Sequence, residues 1–148
     1  MSESTSSLEI LTPGLATTVQ DRGRYGYYRF GIPQGGAMDQ YAATLGNRLV
    51  GNTADEAVLE CTYLGPKLKA HADTIIAVTG APVDVMVNGE AVAQNARVAL
   101  AAGDELSFGM LKGGSKFFIA VAGGIDVPEV LGSRSTYPIG KMGGFEGR

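Results

Sequence analysis

The stretch VDVMVNGEAVA, Val83 to Ala93, decides the fold class. Val83, Val85 and Val87 alternate with Asp84 and Met86, the period of two that gives a strand one apolar face. Asn88-Gly89 then supplies the dipeptide that a type I′ turn requires, so the reading is a β-hairpin. The neighbouring segments extend the pattern. DTIIAVTG (73–80) is a nearly continuous apolar run ending in glycine, as a strand buried on both faces would be. AVLECTYL (57–64) mixes β-branched, aromatic and apolar residues and stops at Gly65-Pro66. RVALAAGDELSFG (97–109) reads as a second hairpin turning at Gly103-Asp104, and KFFIAVAGG (116–124) as a last apolar strand. Two shorter candidates, in LEILTPG (8–14) and ATTVQD (16–21), precede them all. Strands this short, with turns at roughly ten-residue intervals, indicate a barrel or sandwich rather than alternating β-α units. The 22 glycines among 148 residues, about twice the usual share, imply the same density of turns.

One segment departs from this pattern. GIPQGGAMDQYAATLGNRLVGN (31–52) is a string of turn residues up to Met38 and a helix from Asp39 onward. The Asp39 carboxylate can accept from the free N–H groups of a first helical turn, and Ala42, Leu45 and Leu49 make an apolar stripe. Gly51 stands where a C′ residue with positive φ is wanted, which places the helix at about 39–50. Before it, RGRYGYYRFGIPQGG (22–36) lacks a clean period and reads as a loop with at most one extended piece. MSESTSS (1–7) reads as a frayed tail without the basic and apolar regions of a secretory signal. The C-terminal IDVPEVLGSRSTYPIGKMGGFEGR (125–148) is polar and glycine-rich, with no closing element. No internal repeat or linker divides residues 8–148, so they read as one β domain.

The totals bound the function. A net charge of −3 argues against non-specific nucleic-acid binding, which depends on Lys and Arg neutralising phosphates. No apolar run approaches the ~20 residues that span a bilayer. A single cysteine, Cys61, allows no internal disulfide and suits a reducing, cytoplasmic setting. No metal site is expected: His71 and Cys61 are the only residues of their types, and a zinc site takes about four ligands. There is neither a GxxxxGK[ST] nor a GxGxxG opening a helix, and GKMGGFEGR lacks the Ser/Thr and the helix that follow a phosphate loop. Two features carry more information. Arginines are embedded in glycine-rich loops: Arg22 and Arg24 beside Asp21, Arg134 beside Ser135 and Thr136, and Arg148 beside Glu146. Their planar forks suit carboxylates and phosphates, while surface arginines in turns are also commonplace. Glu60 lies in mid-strand among apolar residues and either faces solvent or is buried and paired; a buried carboxyl suits acid–base work.

Taken together, TVQDRGRYGYYRFGIPQGGAMDQYAATLGNRLVGN, LECTYLGPKL, VTGAPVDVMVNG, VAGGIDVPEVLGSRSTY and GGFEGR resemble one family. It is the family of biotin-dependent carboxyltransferases, allophanate hydrolase subunit 2 and the C-type subunit of 5-oxoprolinase. The resemblance runs over nearly the whole chain past the tail, with the motifs in family order. It implies a mainly β, cyclophilin-like β-barrel with one clear helix. It also implies work beside a companion polypeptide, the B-type subunit of 5-oxoprolinase or allophanate hydrolase subunit 1. The activity it implies first is ATP-dependent hydrolysis of 5-oxoproline to glutamate, with ATP used at the level of the complex. The alternative is the carboxyltransferase component of a urea carboxylase/allophanate system, with biotin carried by a partner. A further alternative is a regulatory binding module, since one relative antagonises a kinase inhibitor through protein contact. Both enzymatic readings share a small amide substrate.

Carried over to this sequence, the resemblance marks Asp39, Glu60 and Arg134 as catalytic candidates. It marks Arg22, Arg24, Gly35, Gly36, Ser135, Thr136 and Arg148 as substrate-binding candidates. The arginines are expected to hold anionic groups, and Asp39 or Glu60 to meet an amide N–H. Family members continue past GGFEGR into a second half. The chain is therefore expected to be the N-terminal half of a longer family domain, with an apolar face left bare and association with itself or a partner.

Overall fold

A computed structural model describes residues 8–145 and 147; the tail 1–7 and the candidate residues Glu146 and Arg148 lie outside the described residues. Among the described residues, ten strands form two antiparallel five-stranded sheets. The first sheet contains β1 (Leu8–Thr12), β4 (Lys67–Ala70), β9 (Glu105–Leu111), β6 (Val83–Val87) and β7 (Glu90–Val92), in that spatial order. The second contains β2 (Ala16–Gln20), β3 (Val58–Thr62), β10 (Lys116–Val121), β5 (Thr74–Gly80) and β8 (Val98–Leu100). Among the described residues, no helix is long and apolar enough to cross a membrane.

The β6–β7 hairpin turns at Asn88-Gly89 as its sequence requires, with φ of 53° and 82° and Val87 facing Glu90. The expected second hairpin does not form. Gly103-Asp104 does reverse the chain, but β8 pairs with β5 in one sheet and β9 with β4 and β6 in the other. The reason is where the turn is anchored. Gly103 N–H donates to Ala70 O at 2.7 Å and Ala70 N–H to Asp104 O at 2.9 Å, so the reversal is pinned to the end of β4 and steers the chain from sheet to sheet.

The strands β3, β5 and β10 are two-faced. Leu59, Cys61, Ile76, Val78, Phe117 and Ile119 point into the core shared with Leu68, Val85 and Leu106 of the first sheet. Their alternates Val58, Ala77, Phe118 and Ala120 form a second apolar cluster on the outer face. Both faces being covered explains why residues 74–80 read as an unbroken apolar run.

Helix α1 (Gln40–Leu49) covers part of that outer face, packing on β5 and β10. Asp39 is its N-cap, Oδ1 accepting from Ala42 N–H at 3.0 Å. At the other end Gly51 N–H donates to Arg48 O and Asn52 N–H to Asn47 O, the Schellman pair of bonds. Of the Ala42–Leu45–Leu49 stripe Ala42 is buried and Leu49 partly so, and Ala43, Gly46 and Asn47 complete the buried side. Small residues let the helix lie close on the sheet: a Cβ at Gly46 would stand 3.1 Å from Ala120 Cβ. Thr79 Oγ1 donates to Ala42 O at 2.7 Å across the same contact. The loop before the helix contains one 3-10 turn, Tyr28–Phe30, in place of an extended piece.

Candidate functional site

Asp21 follows β2 directly and organises the loops around it. Its Oδ1 accepts from Ser133 Oγ at 2.6 Å, Ser135 Oγ at 2.7 Å and Gly23 N–H at 2.9 Å. Its Oδ2 accepts from Arg134 N–H at 2.8 Å, and its own N–H donates to Ser135 Oγ at 2.9 Å. Burial pushes the Asp21 carboxyl up, but the bonds from Ser133, Arg134, Gly23 and Ser135 outweigh it and leave the pKa below its ordinary value. The charged form is the one that can accept four donors at once.

Arg24, 2% exposed, completes this hub from below. Its Nε donates to Val130 O at 2.7 Å, and its Nη2 to Ser133 O at 3.2 Å and Ser135 O at 2.9 Å. Ser133 and Ser135 thus give hydroxyl protons to Asp21 and carbonyl oxygens to Arg24, so a half-buried carboxylate and a buried guanidinium are joined through two residues. Two glycines make the close crossings possible. At Gly36, with φ of 93°, a Cβ would stand 2.9 Å from Arg22 C and O and Gly23 N. At Gly143, with φ of 67°, a Cβ would collide with Ser135 O and stand 2.9 Å from Arg24 Nη2. Thr136 N–H and Oγ1 both bond Val19 O, at 2.8 and 3.1 Å, so the 133–136 segment runs along the free edge of β2.

The motif residues therefore meet, but their side chains face different ways. Arg22, adjacent to the hub, extends to Asp55 (2.9 Å), and both side chains are at least half exposed. Arg134 Nε donates to Val127 O at 2.8 Å and its Nη1 reaches Glu129 Oε2 at 3.1 Å. Gly35 is exposed at the tip of the turn that leads to Asp39. Glu60 is buried on the outer face of β3; its Oε2 accepts from Met38 N–H at 2.7 Å, and its Oε1 lies 3.8 Å from Lys116 Nζ. Of the two alternatives for Glu60, buried and paired is the one found, and it fastens the Gly35–Asp39 turn to the sheet.

Asp21 and Lys116 are not among the site candidates that the sequence marks. Asp21 has a local signal, the Asx turn that it forms with Gly23 two residues on. Lys116 has only its position as the cationic first residue of an apolar strand. Cys61 is fully buried, and burial, with Glu60 adding to it against a bond from Thr17, pushes its thiol up to about 12. A thiol held protonated is no nucleophile. Among the described residues no three His, Cys, Asp or Glu side chains converge on a metal-sized site.

Four strongly exposed apolar residues lie on the loops of this region and at the helix start, Tyr28, Met38, Tyr41 and Ile139, each more than 70% exposed; Met110 on β9 is equally exposed.

Comparison with known proteins gives this arrangement a lineage. Over 143 residues the chain is 46% identical to a urea amidolyase of Lachancea kluyveri, covering 96% of this chain and 8% of the relative. It is 40% identical over 141 residues to the C-type subunit of 5-oxoprolinase from Escherichia coli K12, covering 95% of this chain and 46% of the relative. The crystal structure of the Kluyveromyces lactis urea carboxylase superposes with a TM-score of 0.93 at 48% identity, over 95% of this chain and 13% of that one. The chain thus spans under half the length of these relatives. The family described as carboxyltransferase domain, subdomain A and B, matches residues 30–148, and the chain belongs to it.

Proposed function

We propose that this chain is one part of an ATP-dependent enzyme that processes a small amide together with a companion polypeptide. The observation that carries the reading is the meeting of the separate family motifs at one hub. The residues 20–24, 34–37 and 130–136 are tied there by Asp21 and Arg24, and 143–144 joins through Gly144 N–H to Arg134 O, whatever their distance in sequence. In this reading Arg22, whose partner Asp55 is exposed, is the guanidinium able to exchange that partner for an anionic group. Arg24 and the Ser133–Thr136 segment hold the site in shape, and Glu60 and Asp39 stand on the side where an amide N–H would be met. The exposed Tyr28, Met38, Tyr41 and Ile139 are where the companion would rest.

Two forms of the reading are open to test. In the first, the chain acts as its 5-oxoprolinase relative does by name, releasing glutamate from 5-oxoproline. Its companion is then a protein like the B-type subunit of 5-oxoprolinase or allophanate hydrolase subunit 1. In the second, it contributes to a carboxyltransferase that passes a carboxyl group from carboxybiotin to urea. The hub itself does not fit a triphosphate or another large anion, because the guanidinia of Arg24 and Arg134 already hold carbonyl or carboxylate oxygens and only Arg22 is placed to exchange its partner. ATP and biotin are therefore assigned to other parts of the assembly.

The test is reconstitution. The chain is combined with candidate companion polypeptides, and glutamate release from 5-oxoproline and urea-dependent ATP turnover with a biotinylated carrier are measured. Glutamate release supports the first form and urea-dependent turnover the second. Stable association without either activity overturns both and leaves a regulatory binding module.

A further inference from the structure

The turn that joins β6 to β7 carries a chemistry of its own, apart from its backbone geometry. Of the four asparagines in the chain, Asn88 is the one followed by glycine. The amide carbon of an asparagine side chain is an electrophile, and the backbone nitrogen of the next residue is its nearest nucleophile. Glycine leaves that nitrogen unscreened because it has no Cβ. Both residues are exposed, and a Cβ built at Gly89 would meet nothing within 4 Å. Packing does not shield the pair; hydrogen bonds do.

Three bonds hold Asn88 against the start of β9. Its Nδ2 donates to Asp104 Oδ1 at 2.9 Å, its Oδ1 accepts from Glu105 N–H at 2.9 Å, and its own N–H donates to Glu105 O at 2.8 Å. Both ends of the carboxamide are engaged across the gap to β9, so the group is not free to swing onto Gly89 N. Asp104 is itself fixed. Its Oδ2 accepts from Ala101 N–H at 2.8 Å, and the bonds from Ala101 and Asn88 hold its carboxyl below the ordinary value. Asp104 also belongs to the reversal that is pinned to Ala70 and steers the chain from sheet to sheet. The Asn88–Asp104 contact is thus a clasp between the β6–β7 turn and that reversal.

Once the clasp opens, the reaction is intramolecular. Gly89 N bonds to Asn88 Cγ, the Cγ–Nδ2 bond breaks, and ammonia leaves with the proton from Gly89 N. Water then opens the cyclic imide at one of its two carbonyls. Cleavage at Cγ gives aspartate at position 88; cleavage at the main-chain carbonyl routes the backbone through the side chain as isoaspartate. Nothing is oxidised or reduced, and solvent water is the sole co-reactant. In both products the Nδ2 donor is gone and a carboxylate has appeared beside Asp104, adding one negative charge to the net −3. Like charges in contact repel, and isoaspartate also lengthens the main chain inside a two-residue turn that has no room for it. We propose that Asn88-Gly89 is a self-modification site, a one-way deamidation switch that the Asn88–Asp104 clasp restrains and whose product unfastens the β6–β7 turn from the Gly103-Asp104 reversal. The site stands apart from the amide chemistry proposed above.

The experiment follows, by mass spectrometry, the tryptic peptide containing residues 88–89 while the 148-residue chain ages in mildly alkaline buffer. Folded wild type, the same chain unfolded in guanidinium and folded Asp104→Ala are compared, with tandem spectra separating Asn88 from Asn95. Asn88 should gain one mass unit about tenfold faster in the unfolded chain, where no clasp exists. Asp104→Ala should speed the gain about threefold in the folded chain, the order expected for one exposed hydrogen bond, with Asn47, Asn52 and Asn95 unchanged. If that variant does not fold, Asp104→Asn, which keeps one acceptor for Ala101 N–H, takes its place. The product is tested with Asn88→Asp, a residue that tolerates the φ of 53° at this position. Its amide hydrogen exchange at residues 87–90 and 102–105 should quicken about threefold while 130–136 stay unchanged. Equal rates in the folded and unfolded chain, an Asp104 variant that ages like wild type, or unaltered exchange in Asn88→Asp overturns the proposal.

Discussion

The inter-sheet core and the Asp21–Arg24 hub are held by opposite means. The core is Leu, Ile, Val and Phe from both sheets, with Phe108 and Phe117 in tilted contact at 4.8 Å between ring centroids. Its attraction is non-directional and roughly proportional to area. The hub is two charges, two serines and a ring of backbone groups, each fixed by a specific donor and acceptor. A core of the first kind tolerates exchange of one aliphatic shape for another; a hub of the second kind tolerates almost nothing, because each lost partner leaves another polar group buried and unpaired. The first kind suits a scaffold and the second an arrangement of loops whose relative positions matter.

Four substitutions test this contrast, taken from the largest expected effect downward. Phe117→Ala should cost about 3–5 kcal/mol in chemical denaturation, with no change in how stability depends on pH. Arg24→Met should cost on the order of 3 kcal/mol, since it removes three bonds from a buried guanidinium, and only Val130 O and Ser133 O keep a backbone donor. Hydrogen exchange should speed up at residues 130–136 before the strands respond. Uniform loss across both regions in that variant would merge hub and core into one cooperative unit.

Asp21→Asn should cost about 1–3 kcal/mol at neutral pH, and it carries the sharper prediction. The folded-state pKa of Asp21 lies below its ordinary 3.8, so its contribution is fully present above that value and is lost as pH falls through the lowered one. The wild-type chain should therefore weaken in acid below about pH 4 more steeply than the Asn variant, whose side chain does not titrate. Identical acid profiles for the two would remove Asp21 as the source. Last, Asp39→Ala should cost about 1 kcal/mol through loss of the helix cap, read as a small drop in melting temperature with the hub unaffected.

What the sequence discloses divides along the same line. The hairpin at Asn88-Gly89 and both caps of α1 are legible because each depends on residues within a turn of one another. The reversal at Gly103-Asp104 is legible as a turn, whereas its partners are not, because Ala70 lies far back in the chain. Strand β4 is hidden because two lysines in KLKA dilute the alternation of Leu68 and Ala70. The helix stripe is incomplete because Ala43, Gly46 and Asn47 complete the buried side, and hydrophobicity gives such residues little weight. The candidate site is legible only as a set of motifs. Asp21 and Ser135 are 114 positions apart, and no local pattern connects them. Arg24 shows the limit most clearly: composition marks a charged residue in a glycine-rich loop as exposed and available, and only the carbonyl cage around it explains why it is neither.

One consequence of the core has a practical use. Cys61 is the chain's single thiol, wholly buried between the sheets and chemically silent there. Any alkylating reagent that modifies it must have waited for the sandwich to part. The rate of that modification is therefore a clock for rare openings, built into the native chain without an added label. It can time how a companion polypeptide, an amide or a lost hub contact changes the frequency of those openings.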